Sequence, residues 1–488
     1  MSALTPSQQA ALNAKGNVLV MAGAGTGKTK TLVERCCALL EGGCALDELL
    51  MVTFTEAAAA EMRHRIHLRL ASRRDELAAT DPKKAQHLDE QLALLDTADI
   101  STIHGFCLKL IREHFHHERL QLDPEFSVFS DAQIHQIKHE TLDALLESHY
   151  EGDTDDAKAF RDFITVRARG DEDRVRELIW RLHRYSQSLA APEGWVEGQL
   201  ANFNGAEPTL WRSWFAESFA ECRVRWGQRF SSFSFSKNVE LCLAALGALP
   251  AKPAVEQITE ALVSIAEAFK AKWPHGHAGK VRDVLDDCFS EAEFLHSLTP
   301  TADGVDPLAQ DWEWTRHQML TLLGLVRDFS ADFARAKREA AGVDFSDLEQ
   351  FALRLLWDAN TESPTAIALS LRARLTHIFV DEYQDINAAQ DTILRAVSRT
   401  GADANRFLVG DVKQSIYRFR LADPTIFQGY KRAWQTAPVA TGAVIPLSDN
   451  FRSRAALLDF INPFFASLMR EEIGGVSYDE AAELKFGV

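Results

Sequence analysis

The chain has 488 residues, 46% hydrophobic and 25% charged, the balance of a soluble globular protein long enough for two to four domains. A formal net charge of −17 excludes a protein that coats duplex DNA with a generally basic surface, while leaving room for a local basic groove. No apolar run approaches the ~20 residues of a membrane span, and the start MSALTPSQQA has neither the basic nor the apolar region of a secretory signal. The seven cysteines are scattered and form no CxxC pair. Reduced thiols, no zinc or iron–sulfur site, no membrane and a cytoplasmic location are therefore the expectation.

From about Asn17 to Phe106, short apolar strands alternate with amphipathic helices. NVLVMA and LLMVTF read as buried parallel strands, each followed by a helix-like run, KTKTLVERCCALLEG and EAAAAEMRHRIHLRLASRRDELAA. That βαβ pattern predicts α/β architecture, a parallel sheet covered by helices. Within the second helix, Glu61–Arg74 is rich in arginine and holds a single acidic residue. Charge alone reads it as a solvated helix face.

From roughly Phe115 to Gly342 the chain is rich in helix formers and tryptophan, and clusters such as APEG, NFNGAEP and WPHGH break it into helices. It reads as a mostly helical domain inserted into the first. The α/β pattern returns at Val343. THIFVDE, NRFLVGD and AVIPLSDN are strand-like, and DFSDLEQFALRLLW and NAAQDTILRAVSR are helical. The expected boundaries are 1–115 and 343–440 for the two parts of an ATP-binding domain, 116–342 for the insertion, and 441–488 for the start of a further domain.

Three stretches carry chemistry. Ala22–Thr29, AGAGTGKT, fits the Walker A pattern except that alanine replaces its first glycine, and it lies between a buried strand and a helix. Gly23, Gly25 and Gly27, with Thr26 among them, let backbone N–H groups turn toward phosphate oxygens. Lys28 supplies a point charge for the β- and γ-phosphates of ATP, and the Thr29 hydroxyl suits Mg²⁺. HIFVDEYQD then places Asp381 and Glu382 at the end of an apolar strand. Asp381 suits the Mg²⁺ shell and Glu382 suits polarising water as a general base. Finally, LVGDVKQSIYRFRLADPTIF offers Asp411 at another strand end, then Gln414, Tyr417, Arg418, Phe419 and Arg420. Alternating aromatics and arginines suit base stacking and phosphate contact.

The order of LTPSQQAAL, AGAGTGKT, VTFTEAAAAEMRHRI, ISTIHGFC, IFVDEYQDIN, VGDVKQSIYRFR and LSDNFRSR resembles the UvrD/PcrA branch of superfamily 1 DNA helicases. Within that branch TFTEAAAAEM, VDFSDLE and GDVKQSIYRFRLADPTIF are most similar to the AddA subunit of bacterial helicase–nucleases, with RecB second. The resemblance implies a RecA-like P-loop domain carrying a large helical insertion, followed by only the start of a second RecA-like domain. It implies ATP-dependent 3′–5′ DNA unwinding in double-strand break repair and recombination, single-stranded or duplex-end DNA as partner, and an AddB-like subunit. By position it implies that Gln8 reads adenine, that Phe451 stacks on it, and that Gln414 and Arg452 attend the γ-phosphate. It also implies that Thr53, Phe54, Thr102, His104, Tyr417 and Phe419 line the single-strand path.

Beyond NFRSR, neither the later motor motifs of the branch nor a nuclease cluster is found. The chain therefore reads as the N-terminal part of a larger enzyme, with a weakened motor when alone. Two alternatives of other kinds stand beside this reading. One is a nucleotide-gated single-strand-binding module without motor activity. The other is a different P-loop ATPase or a small-molecule kinase, which leaves TFTEAAAAEM and QSIYRFR unexplained. A UvrD/PcrA-type repair helicase is the alternative within the branch. The histidines of REHFHHE (His114, His116, His117) have spacing that does not converge on a metal, and Asp344 and Asp347 read as helix-capping.

Overall fold

The computed structural model describes residues 4–120, 122–301, 303–436, 442–471 and 475–487. The chain forms two compact units: Met1–Asp143, Arg181–Trp195 and Ser330–Val488 make the first, Ala144–Trp180 and Val196–Phe329 the second.

The first unit is built on a six-stranded sheet of β1 (Asn17–Ala22), β2 (Leu49–Thr53), β3 (Asp99–Thr102), β4 (His377–Val380), β5 (Arg406–Gly410) and β6 (Gly442–Leu447). The spatial order is β6-β1-β5-β4-β2-β3 and every neighbouring pair is parallel. All six strands therefore present their carboxyl ends on one edge, where open parallel sheets place their ligands. The expected boundary between residues 440 and 441 lies outside the described residues. The strand beyond it, β6, pairs along its whole length with β1 and extends this same sheet.

The helices of this unit include α1 (Pro6–Asn13), α2 (Lys28–Glu41), α3 (Glu56–Leu77), α4 (Pro82–Leu94), α5 (Ile103–Glu113), α6 (Phe345–Leu356), α7 (Ala366–Arg374), α8 (Ala388–Val397), α9 (Pro424–Gln435) and α10 (Ala455–Leu468). They cover both faces of the sheet, which is why the central strands are apolar throughout rather than alternating. Side chains of successive strand residues take opposite faces. Val18, Val20, Met51, Phe379, Phe407 and Val409 pack with Leu32, Cys36, Leu40, Ile66 and Leu70 of α2 and α3. Leu19, Leu50, Val52, Ile378, Val380 and Leu408 pack with Phe106, Phe351, Ile393 and Phe427 on the other face.

The arginine-rich face of α3 is used within the fold. Arg69 pairs with Glu34 at 3.2 Å, Arg73 with Glu41 at 3.0 Å, Arg74 with Asp89 at 2.9 Å and Arg65 with Glu61 at 2.7 Å. Asp344 caps α6 by accepting the Asp347 N–H at 2.8 Å, the expected role, and buried Lys337 bridges the two carboxylates.

The second unit is helical, with Thr209–Ser231, Lys237–Gly247, Val255–Lys270 and Asp286–Ser297 around a core of Phe215, Phe219, Trp226, Phe230, Leu262 and Phe289. Trp226 and Trp312 are fully buried, whereas Trp214 and Trp314 are exposed. Among the described residues, no helix is long and apolar enough to cross a membrane, and no group of three or more metal-ligating side chains converges.

Candidate active site and nucleic-acid face

β1 ends at Ala22 and α2 begins at Lys28, so residues 23–27 form a tight turn. Gly25 and Gly27 hold φ of +77° and +87°, a region that L side chains rarely adopt. A Cβ at Gly27 would also lie 2.7 Å from Gln8 Nε2. Buried Thr26 locks the turn, its Oγ1 donating to the Gly23 carbonyl at 2.8 Å. Lys28 and Thr29 are the first two residues of α2, where backbone N–H groups have no partner in the helix and favour an anion.

Gln8 is buried beside this loop. Its Oε1 accepts the Thr5 N–H at 3.1 Å and its Nε2 donates to the Thr26 carbonyl at 3.2 Å. A primary amide has two N–H donors and two acceptor pairs, so one of each is left over from these bonds. From the other side, Asn450 Nδ2 donates to the Ala24 carbonyl at 2.8 Å and the Phe451 N–H donates to the Gly25 carbonyl at 2.9 Å. Asn450 Oδ1 accepts the N–H groups of Arg452 and Ser453 at 2.9 and 2.7 Å. The turn bearing exposed Phe451 and Arg452 is thereby pinned onto the phosphate loop. A Cβ at Gly25 would lie 2.7 Å from Arg452 Cβ.

Lys28 Nζ donates to Glu382 Oε1 and Oε2 at 2.8 and 2.7 Å. Glu382 sits just past β4 at φ +51°, a left-handed conformation that is strained for a non-glycine residue and is held by its neighbours. Asp381 continues the strand, its N–H donating to the Val52 carbonyl at 2.9 Å, and its Oδ1 accepts the Glu382 N–H at 3.0 Å. Burial, and then the charge of Glu382, push the Asp381 carboxyl up to about 6. Beyond β5, buried Asp411 accepts from Gln414 Nε2 at 2.8 Å and pairs with Lys413 at 2.9 Å. Lys28, Thr29, Asp381, Glu382 and Gln414 thus lie at the carboxyl ends of β1, β4 and β5.

The nucleic-acid candidates gather farther along the same edge. The Phe54 and Tyr417 rings pack tilted by 33° at 4.8 Å between centroids, and Tyr417 and Phe419 tilted by 49° at 5.7 Å. The Arg420 guanidinium lies 5.9, 5.2 and 5.8 Å from the centroids of Phe54, Tyr417 and Phe419. Phe419 is 63% exposed. Thr53 and Thr102 reach the strand ends, but their side chains are buried and their hydroxyls engaged. Thr53 Oγ1 donates to the Thr55 carbonyl at 3.1 Å, while Thr102 caps α5 and donates to Glu56 Oε1 at 2.7 Å. His104 Nε2 lies 2.9 Å from Oε1 of buried Glu349, and its ring is 5.0 Å from that of exposed Phe345.

Sequence reasoning did not single out Phe345, Glu349 or Asn450. The signal for Phe345 was an aromatic ring one turn ahead of the apolar stripe of α6, which begins at Leu348. Glu349 and Asn450 act through contacts with residues distant in sequence, which no local pattern discloses.

Comparison with known proteins identifies the family. A family model described as the UvrD/REP helicase N-terminal domain matches residues 4–435. The chain is 35% identical to an ATP-dependent helicase/nuclease subunit of Geobacillus thermodenitrificans (strain NG80-2), over 99% of this chain and 41% of that protein. It is 36% identical to the protein of the same name from Moorella thermoacetica, over 98% of this chain and 36% of that protein. The chain thus spans about two-fifths of the length of the curated relatives it matches. With the family model covering most of its length, the chain belongs to the UvrD/REP helicase family.

Proposed function

We propose that the chain is the ATP-binding part of an ATP-dependent DNA helicase of the AddA type, moving 3′–5′ on single-stranded DNA in double-strand break repair and recombination. The observation that carries this reading is one sheet edge with a phosphate loop facing a carboxylate pair at one end and an arginine-flanked aromatic cluster at the other. A small-molecule kinase has no use for the second feature. The polarity rests on the resemblance of the motifs. A partner subunit, of AddB type, and a nuclease elsewhere in the full protein follow from relatives that are named as subunits of a helicase/nuclease.

The residues present fit Mg²⁺ and ATP. The glycine turn leads into the N-terminus of α2, whose unpartnered N–H groups suit phosphate oxygens, and Asp381 and the Thr29 hydroxyl supply the oxygen ligands that Mg²⁺ prefers. Bound Mg²⁺ supplies charge neutralisation on the phosphates. Lys28 contributes the compact cation of the loop. Glu382 takes the proton of the attacking water, and Arg452 and Gln414 face the charge that develops on the transferred phosphoryl group. Phe451 and the spare donor and acceptor of Gln8 hold the adenine. Phe54, Tyr417 and Phe419 stack on bases while Arg420 meets the phosphates.

Strand separation on duplexes bearing either a 3′ or a 5′ single-stranded tail, using the full-length protein that carries this chain, tests the proposal. ATP-dependent opening of the 3′-tailed duplex is expected. Opening of the 5′-tailed duplex alone contradicts the polarity, and transfer of phosphate to a small molecule without any DNA response contradicts the class.

A further inference from the structure

Gln384 lies two residues beyond Glu382 and is only 1% exposed. Three bonds use its side-chain amide. Nε2 donates to Glu382 Oε2 at 3.0 Å and to Asp385 Oδ2 at 2.9 Å, and Oε1 accepts the Asp411 N–H at 2.9 Å. Its backbone carbonyl accepts from Ser415 Oγ at 3.3 Å. A Cβ on Gly410, the last residue of β5, would run into Gln384 Oε1 and lie 3.0 Å from Phe427 Cε2. The strand therefore ends in the one residue type that leaves the glutamine room. Asp411 in turn holds Gln414 at 2.8 Å, and three residues later comes Tyr417, whose ring packs against Phe54.

A continuous chain of hydrogen bonds thus runs from the carboxylate of Glu382, through Gln384 and Asp411, to the segment that carries half-buried Tyr417 and exposed Phe419. Buried glutamines usually satisfy themselves against nearby backbone. This one spends both amide hydrogens on carboxylates and its oxygen on the Asp411 N–H just past β5, and so ties the Glu382 carboxylate to the Asp411–Tyr417 segment.

We infer that Gln384 is a positioning residue that couples single-strand occupancy of the Tyr417 cluster to the placement of Glu382. The inference rests on the function proposed above. Coupling between two sites is reciprocal and is read as a ratio of affinities. The readout is therefore the affinity of the 488-residue chain for a fluorescent oligothymidylate, with and without Mg²⁺ and a non-hydrolysable ATP analogue. In the unsubstituted chain the two values differ by about five-fold or more, the lower bound for typical allosteric coupling. In Gln384→Met the ratio falls to about one, while each ligand alone binds within about three-fold of the parent.

A residue that only fills the core lowers the melting temperature and weakens both ligands together, leaving their ratio intact. Where Gln384→Met does not yield folded protein, Gly410→Ala displaces the same amide from the strand side and carries the same expectation. Parent-like coupling in a folded variant, or a parent that binds both ligands with no coupling, overturns the inference. A parent that binds neither nucleotide nor DNA contradicts the function itself, and the coupling with it.

Discussion

Lys28 and Glu382, 354 positions apart in sequence, form a two-pronged ion pair, with the lysine ammonium within 2.8 Å of both carboxylate oxygens. The pair joins the start of α2 to the end of β4 across the intervening β5. It also sets the local electrostatics: one cation faces Glu382 and, behind it, the raised carboxyl of Asp381. Lys28→Ala removes the loop's cation and leaves Glu382 without this partner. The expected outcome is at least a ten-fold loss of nucleotide affinity, about 1.4 kcal/mol or more, measured with a fluorescent ATP analogue. Unchanged affinity contradicts the assignment of the loop.

Asp381 gives a pH signature. Its folded carboxyl titrates at about 6, against ~3.9 for an unperturbed aspartate. The folded chain therefore holds this proton more tightly than the unfolded chain. Stability falls as pH rises from about 4 through about 6, and the penalty is fully present above that window. Asp381→Asn keeps an oxygen for the Glu382 N–H and removes the charge. In metal-free buffer it melts a few degrees above the parent at pH 8, and the gap closes as pH falls toward 4. A gap that is absent at pH 8, or that widens in acid, contradicts this placement.

The aromatic cluster predicts a division of labour. Tyr417→Ala and Phe54→Ala each weaken binding of a single-stranded oligonucleotide by about 1–3 kcal/mol, the usual worth of one base–aromatic stack. Nucleotide affinity in the absence of DNA stays within about two-fold. Fluorescence anisotropy measures both. Equal losses for the two ligands would mean that the rings serve the fold rather than DNA.

Glu349 is a buried carboxylate that His104, Asn387 and Gln390 approach at 2.9, 3.0 and 2.7 Å. Removing it leaves buried Asn387 and half-buried His104 and Gln390 without this acceptor. Glu349→Ala should cost about 2–4 kcal/mol in a chemical-denaturation experiment, in line with hydrogen bonds to charged groups. Weaker single-strand binding should accompany it, because His104 loses its anchor. A loss below about 1 kcal/mol contradicts the hub role.

The strands were legible where burial on both faces writes a continuous apolar run, as in Val18–Val20, Ile378–Val380 and Phe407–Val409. Lys28 and the Asp381–Glu382 pair were legible because a phosphate loop and a strand-terminal carboxylate pair have local spacing. β6 was visible as a strand, but its place beside β1 was not, since parallel partners far apart in sequence share no local pattern. The same holds for the network around Gln384 and Glu349. A buried polar residue is indistinguishable in sequence from a solvated one until the fold supplies its partners. Thr53 and Thr102 show the reverse case. Their positions at the edge followed from the motifs, whereas the engagement of their hydroxyls depended on Thr55 and Glu56, which the strand-to-helix turn brings near.

The central claim is that nucleotide hydrolysis at Lys28 and Glu382 responds to DNA at the Tyr417 cluster. Its most direct test is steady-state ATP hydrolysis by this 488-residue chain, with and without single-stranded DNA, beside Lys28→Ala. The account predicts hydrolysis that rises with DNA and disappears in the variant. Hydrolysis that ignores DNA, or that survives Lys28→Ala, contradicts it.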